Sequence, residues 1–412
     1  LIYRVVNILY ISYDGMTDPL GQSQVLPYLS GLSKRGYNIT LISCEKPARY
    51  EQYKEVITQL CADANIDWQP IPYTASPPVV STIKDIMRLH KEAYRLHAVK
   101  KFDIVHCRSY ISAMVGQGMK KKFGTKFLFD MRGFWADERV DGGLWKRSNP
   151  LFNTIYKYFK KKEIQYFQEA DHTISLTNAG KDEIHSWQHI EGQPVPITVI
   201  PCCVDTELFK DNVAADIKAA LRSELKIGDT QPVVGYVGSI GTWYMLDEML
   251  LAYKAFQQQL PDCVMLFVTT EPEAMVMEAA KRFGIDTNGI IVRAAARKEV
   301  PRYISIMDYS VFFIKPCFSK KASSPTKQGE IMAMGVPVLC NSGVGDTAYV
   351  LDKYHSGIAV DSFDDTALNT AISKLLNTNY NKAEIRNGAV EFYGLNKGID
   401  TYESVYRKLL SH

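Results

Sequence analysis

The sequence predicts an α/β protein of two domains, each a parallel β-sheet with helices packed on it. Three observations carry this. The chain has 412 residues, too many for one ordinary core and suited to two domains of ~200 residues. Short β-branched runs alternate with helix-length segments throughout, as parallel sheets with crossover helices require. The alternation then restarts after a stretch rich in turn formers, Gly192-Gln-Pro-Val-Pro196 to Asp205.

In the first domain, residues 1–200, strands are expected at Val5–Ser12, Asn38–Ser43, Asp67–Ile71, Asp103–His106, Lys126–Asp130, His172–Ser175 and Ile197–Ile200. In the second, residues 201–395, they are expected at Pro232–Val237, Val264–Val268, Gly289–Arg293, Tyr309–Ile314, Val336–Cys340 and Gly357–Val360. A closing helix over 396–412 is expected to pack back on the first domain. Two such Rossmann-like domains facing each other would place a ligand cleft at the carboxyl ends of their strands.

Hydrophobic content of 46% and charged content of 23% exclude a disordered chain. No apolar run of membrane-spanning length appears, and the first residues lack the pattern of a signal peptide. The eight cysteines contain no C-x-x-C pair. Free buried thiols in a reducing, cytoplasmic setting are therefore expected, and no metal site. Charge is uneven: residues 81–126 hold 11 basic and 3 acidic side chains. That excess could draw the protein to phosphate or anionic lipid, peripherally at the inner face of a membrane. A nucleic-acid partner is disfavoured, because the basic stretch lacks interleaved aromatics.

Each domain opens with a strand and a glycine turn. The first runs through Gly15 to Asp18-Pro-Leu-Gly21-Gln22; the second is Val237-Gly238-Ser239-Ile-Gly241. Glycine lets backbone approach a ligand, and amides at a following helix start favour phosphate. Neither turn is G-x-G-x-x-G, and no P-loop is present, so dinucleotide and P-loop chemistry lose support.

The sharpest segment is Ser323-Ser324-Pro-Thr326-Lys327-Gln-Gly-Glu330, running on to Gly335-Val-Pro-Val-Leu-Cys-Asn341. Ser324 is expected to cap a helix with Pro325 in its first position. Lys327 would add charge at the helix's positive end, where a diphosphate is stabilised. Glu330 could accept from two vicinal ribose hydroxyls. This segment resembles the donor-site signature of the GT-B glycosyltransferases of retaining family four. Pro19-Leu-Gly-Gln-Ser-Gln24, Phe102-Asp-Ile-Val-His106-Cys-Arg108, Val199-Ile-Pro-Cys-Cys-Val-Asp205 with Phe209, and Met307-Asp-Tyr-Ser-Val311 resemble further family pieces in the expected order. The likeness spans nearly the whole chain.

The resemblance implies a GT-B glycosyltransferase moving a hexose, with retention, from a nucleotide diphosphate-sugar to a glycan or lipid-linked acceptor, as in polysaccharide biosynthesis. It assigns the donor to Gly238, Ser239, Arg293, Ser324, Thr326, Lys327 and Glu330. Gly21, Gln22 and His106 fall on the acceptor side. Three departures stand out. Ala322 replaces the first carboxylate of the family's Glu-x7-Glu. Ser239 and the Trp243–Tyr244 region stand where Arg and Lys are common. No His follows the strand Lys126–Asp130, so Asp130 or Arg132, with Lys327, are the catalytic candidates; an Arg there could bind phosphate and stabilise developing charge. No D-x-D motif occurs, and neither metal nor cofactor is expected. The alternatives are a nucleotide-sugar 2-epimerase of the same fold and a catalytically altered nucleotide-sugar-binding subunit.

Overall fold

A computed structural model describes residues 5–77 and 79–411. The chain divides into two compact units, one of residues 1–201 with 395–412, the other of residues 202–394. The first unit holds β1 (Val6–Ser12), β2 (Tyr37–Glu45), β3 (Ile66–Pro72), β4 (Ile104–Arg108), β5 (Lys126–Asp130), β6 (His172–Ser175) and β7 (Ile197–Val199). The second holds β8 (Val233–Val237), β9 (Val264–Val268), β10 (Ile290–Arg293), β11 (Tyr309–Phe312), β12 (Val338–Asn341) and β13 (Gly357–Val360). All strand pairs are parallel, in the orders β3-β2-β1-β4-β5-β6-β7 and β10-β9-β8-β11-β12-β13. Each order reverses beside its first strand, the doubly wound pattern with a ligand crevice at the switch point.

Several strand ends differ from the sequence expectation by one or two residues, and two of the differences have clear local reasons. β11 stops at Phe312 because the Asn341 amide takes over the next backbone groups: its Oδ1 accepts from the Ile314 N–H at 2.8 Å and its Nδ2 donates to the Ile314 carbonyl at 2.9 Å. β12 starts two residues late because Gly335, at φ 74°, ends the preceding helix, whose last turn still binds the Val336 N–H.

The central strands are buried on both faces, as helix-covered parallel sheets require. The helix Leu395–Leu410 completes the first unit rather than the second. Gly398, Ile399, Tyr402, Val405, Tyr406 and Leu409 form its buried stripe at helical spacing. Tyr402 stands edge-on to Tyr28, and Tyr406 edge-on to Tyr37. Among the described residues, no helix is long and apolar enough to cross a membrane.

Candidate active site

In the second unit, Gly238, Ser239, Lys327 and Glu330 of the expected donor residues gather around the switch point between β8 and β11. Gly238 follows β8 at φ 122°, a conformation that favours glycine. A Cβ there would sit 2.9 Å from the Lys327 Nζ, so glycine makes the room that lysine occupies. Lys327 comes from the helix Thr326–Ala333. Its Nζ donates to the Tyr236 hydroxyl at 2.8 Å and lies 3.6 Å from the centre of the Tyr244 ring and 4.2 Å from that of Tyr236. Burial pushes this ammonium well below its ordinary pKa, and Glu330 only partly restores it.

Glu330 lies one turn along the same helix and is buried. Its Oε1 accepts from Arg297 Nη1 at 2.8 Å. Arg297 is a residue the sequence reading missed; its signal is a basic position shortly after β10. Arg293, expected at the donor, is exposed at the end of β10 and donates to its neighbour's carbonyl, that of Val292. The cation on Glu330 is therefore Arg297. The Ser324 expectation also needs correction. Pro325 is the cap residue and Thr326 begins the helix, while the Ser324 hydroxyl accepts from the Cys202 N–H at 3.2 Å. Thr326 stands at the helix start, where unsatisfied amides favour an anion. The Ser239 carbonyl accepts from the Tyr236 hydroxyl at 2.5 Å, which fixes the turn after β8.

The aromatic residues standing where the family often has bases are themselves covered by lysines. Lys320 Nζ lies 3.7 Å from the centre of the Trp243 ring, as Lys327 does over Tyr244. The Lys315 N–H donates to the Trp243 carbonyl and the Met245 N–H to the Phe313 carbonyl, pinning this segment beside the end of β11. Positive charge thus stands against each of the two rings. Ala322 is fully buried and offers no carboxylate in that place. A second glycine turn, Gly343-Val-Gly345, follows β12 with φ of 77° and 45°, and the Gly345 N–H donates to the Lys320 carbonyl. Its G-x-G signal was present in the sequence and was missed.

In the first unit, a second cluster occupies the equivalent switch point. The register aligns Ser12, Arg108 and Asp130 at the carboxyl ends of β1, β4 and β5. The residues just after β4 and β5, Ser109 at φ 66° and Arg132 at φ 58°, are left-handed without being glycine. Such strain concentrates at functional sites. Asp130 is buried, accepts from the Tyr402 hydroxyl at 3.0 Å, and lies 3.5 Å from His106 Nε2 and 3.7 Å from Arg132 Nη1. Burial would raise its pKa, but Arg132, His106 and Arg108 outweigh this and hold it below the usual carboxylate range. His106 is pushed down by burial against the pull of Asp130, and its Nδ1 lies 2.7 Å from the Tyr406 hydroxyl. His106 is thus a neutral core group tied to the C-terminal helix. Arg108 is buried 3.6 Å from Asp14, with Nε and Nη1 making no hydrogen bond.

Gly21 and Gln22 organise the loop after β1. A Cβ on Gly21 would meet the Gly15 carbonyl oxygen at 2.4 Å, and Gln22 Nε2 donates to the Thr17 carbonyl. Buried Glu45 pins the same loop by accepting from the Met16 and Thr17 amides at 2.7 and 3.1 Å. Of the cations in 81–126, Arg88, Arg95, Lys100, Lys120 and Lys121 pair with carboxylates. Among the described residues, no group of three or more His, Cys, Asp or Glu is arranged to hold a metal ion.

Two doubly wound units, each with charged and glycine-turn residues at its switch point, define a two-domain Rossmann-like architecture of the GT-B type. Residues 23–208 match the model of Glycosyltransferase Family 4, and residues 217–391 that of Glycosyl transferases group 1. The chain belongs to the group 1 glycosyltransferases of the GT-B fold. Among curated proteins, it is 24% identical over 328 residues to a D-inositol 3-phosphate glycosyltransferase of Segniliparus rotundus, covering 75% of this chain and 69% of that one. Among solved structures, it resembles a sucrose-phosphate synthase of Thermosynechococcus elongatus (TM-score 0.73, 16% identity, 98% and 99% of the two chains). A glycosyltransferase of Rickettsia africae is similar (TM-score 0.72, 15% identity, 99% of each chain).

Proposed function

We propose that this glycosyltransferase moves a hexose, with retention of configuration, from a nucleoside diphosphate-sugar to a glycan or lipid-linked acceptor. The observation that carries the donor assignment is the juxtaposition of Gly238, Lys327 and Glu330 at the second unit's switch point. The Thr326–Lys327 helix start and the Lys327 ammonium would meet the diphosphate. Glu330, held by Arg297, would accept from the ribose hydroxyls. As the sugar leaves, charge grows on the diphosphate, and a cation placed there in advance stabilises that transition state more than the ground state. With Ala322 in place of a carboxylate, the hexose hydroxyls would rest on the backbone amides of Gly343 and Val344, the Gly345 N–H being taken by the Lys320 carbonyl. In the first unit, Asp130 and Arg132 would position the acceptor. We further propose a peripheral association of the helix Val80–Lys100 with an anionic membrane face.

The test is a thermal-shift screen of UDP, GDP, ADP and their glucose conjugates. A ligand at ~100 Kd should add about 2.7 kcal/mol of stability. Hydrolysis or transfer of the stabilising conjugate, followed by anomeric analysis, then separates transfer from epimerisation. Release of an epimerised donor with no acceptor would establish the epimerase reading. Binding without turnover, with any acceptor class, would establish an altered subunit. If no nucleotide shifts the wild type, the donor assignment is wrong.

A further inference from the structure

The first unit contains a cavity of about 530 Å³ that the donor chemistry does not use. Its size falls within the range of small-molecule sites, ~300–1,000 Å³. Its walls come from the helices Val80–Lys100, Trp135–Asp141 and Pro150–Glu169 and the loops beside them. Tyr13, Ile83, Trp135, Trp145 and Phe159 make them mainly apolar and aromatic. Ser81, Thr82 and Thr154 add hydroxyls, and Arg139 is the charged residue of the lining. The Arg139 guanidinium lies 4.2 Å from the Trp135 ring centre and 5.6 Å from that of Trp145. Its Nε is buried with no hydrogen-bond partner, and Arg139 forms no ion pair among the described residues. Burial of this half-buried guanidinium outweighs the field of Glu138 and Asp14, and a bound phosphate or carboxylate would relieve that cost.

The cavity also opens onto unusual surface. Ile83 and Tyr158 line it and are nonetheless 52% and 45% exposed. Val80 and Met87 continue the Ile83 stripe along one helix face at i−3 and i+4, and both are exposed. Leu144 precedes Trp145, and Leu151 lies one turn before Ile155; these too are exposed. Soluble monomers rarely leave such apolar groups together in water. Lys84, Lys91, Lys146 and Lys157 intersperse these positions and form no ion pair among the described residues. At the inner end, Tyr13 adjoins Asp14, which interacts electrostatically with Arg139 and lies 3.6 Å from Arg108. The cavity therefore runs from exposed, basic-flanked apolar surface towards the charged cluster at the carboxyl ends of β1 and β4.

We propose that this cavity takes the hydrocarbon chain of a single-chain phosphorylated amphiphile, with Arg139 binding its phosphate, and that this amphiphile is the acceptor or its lipid carrier. Its assignment as acceptor rests on the glycosyltransfer reading; the binding itself does not. Farnesyl phosphate, farnesol, inorganic phosphate and oleoyl lysophosphatidate are the probes, each titrated below its aggregation concentration. Two of the five tryptophans line the cavity, so fluorescence quenching and calorimetry read occupancy. Farnesyl phosphate should bind saturably at one site and inorganic phosphate should not. Arg139→Gln should weaken farnesyl phosphate roughly tenfold, as loss of a charged hydrogen bond does, while farnesol changes less than twofold. Ile155→Trp, which fills the cavity, should weaken both; Ile83→Asp, at an exposed mouth position that cannot unfold the core, should do the same. Saturable lysophosphatidate in place of farnesyl phosphate would keep the site and assign it an acyl chain. If neither amphiphile saturates, or both bind wild type and all three variants alike, the inference is overturned. UDP, GDP and ADP binding measured on the same samples shows whether the donor reading stands apart from that result.

Discussion

Replacing Lys327 by Met should make the ligand-free protein no less stable while nearly abolishing transfer. Lys327 is buried, its cation meets only a hydroxyl and aromatic faces at hydrogen-bonding or ring-contact range, and burial depresses its pKa. Cation–π contact returns up to ~2 kcal/mol when desolvated, against a burial penalty of several kcal/mol for an ion. Methionine has nearly the same length and leaves no orphan, because the Tyr236 hydroxyl still donates to Ser239. The net change should lie between zero and a gain of ~2 kcal/mol, which raises the melting temperature by up to ~8 °C for a unit of this size. The pH dependence has a fixed sign. A lysine whose folded pKa is depressed makes the unfolded chain bind more protons, so its cost is full at low pH. That cost disappears as pH rises from the folded value towards the unfolded ~10.4. The wild-type-minus-variant difference in melting temperature should therefore shrink between pH 7 and 10. Turnover should fall by ~10²–10³, the effect of losing one preorganised charge-stabilising donor. Calorimetric unfolding and single-turnover transfer on the same samples decide the matter. A variant that loses more than 3 kcal/mol yet transfers normally would mean that Lys327 is a core residue with no part in the reaction.

Four other outcomes are expected. Glu330→Gln should weaken the stabilising nucleotide by roughly 1–3 kcal/mol in titration calorimetry, while the half-exposed Arg297 pair makes the stability change under ~1 kcal/mol. Gly238→Ala must adopt φ near 122° and push its Cβ against Lys327, so donor affinity should drop with the fold kept by circular dichroism. Tyr402→Phe removes a hydrogen bond to the charged, buried Asp130 and should cost ~1.5–3 kcal/mol in denaturant unfolding at pH 7. Because the folded Asp130 pKa is depressed, that stabilisation exists above the unfolded value of ~3.9 and is lost as pH falls through the folded one. Chelation with EDTA should leave transfer unchanged; a loss restored by Mg²⁺ would refute the metal-free expectation.

The strands were legible because their signal is local. Lys126–Asp130, His172–Ser175, Val264–Val268 and Gly357–Val360 stand where β-branched and aromatic runs put them. The helix bearing Lys327 and Glu330 was legible from its spacing, but its cap was not. Ser324 fits a cap by type, yet the Cys202 amide, 122 positions away in sequence, claims its hydroxyl. Arg297 on Glu330 and Lys320 on Trp243 were equally hidden, since each pairing depends on which loops the sheet order brings side by side. The cavity was the least legible feature. Its aromatics come from two helices and several loops far apart in sequence, which only the fold brings together. The basic excess of 81–126 was countable, but the pairing of Arg88, Arg95, Lys100, Lys120 and Lys121 was not, because composition counts charges without their partners.

The docking of Leu395–Leu410 on the first unit has a consequence for biogenesis. Residues 1–201 leave the ribosome before the second unit, but the helix that covers Tyr28, Tyr37, His106 and Asp130 is made after it. Until then Gly31, which packs against Ile399, faces an empty groove. We hypothesise that the second unit can mature during synthesis while the first waits as an incomplete intermediate for its C-terminal tyrosines. Nascent chains stalled before Leu395 should then be cleaved by protease within 1–201 but resist within 202–394. Equal resistance of both halves would show that the first unit closes without its last helix.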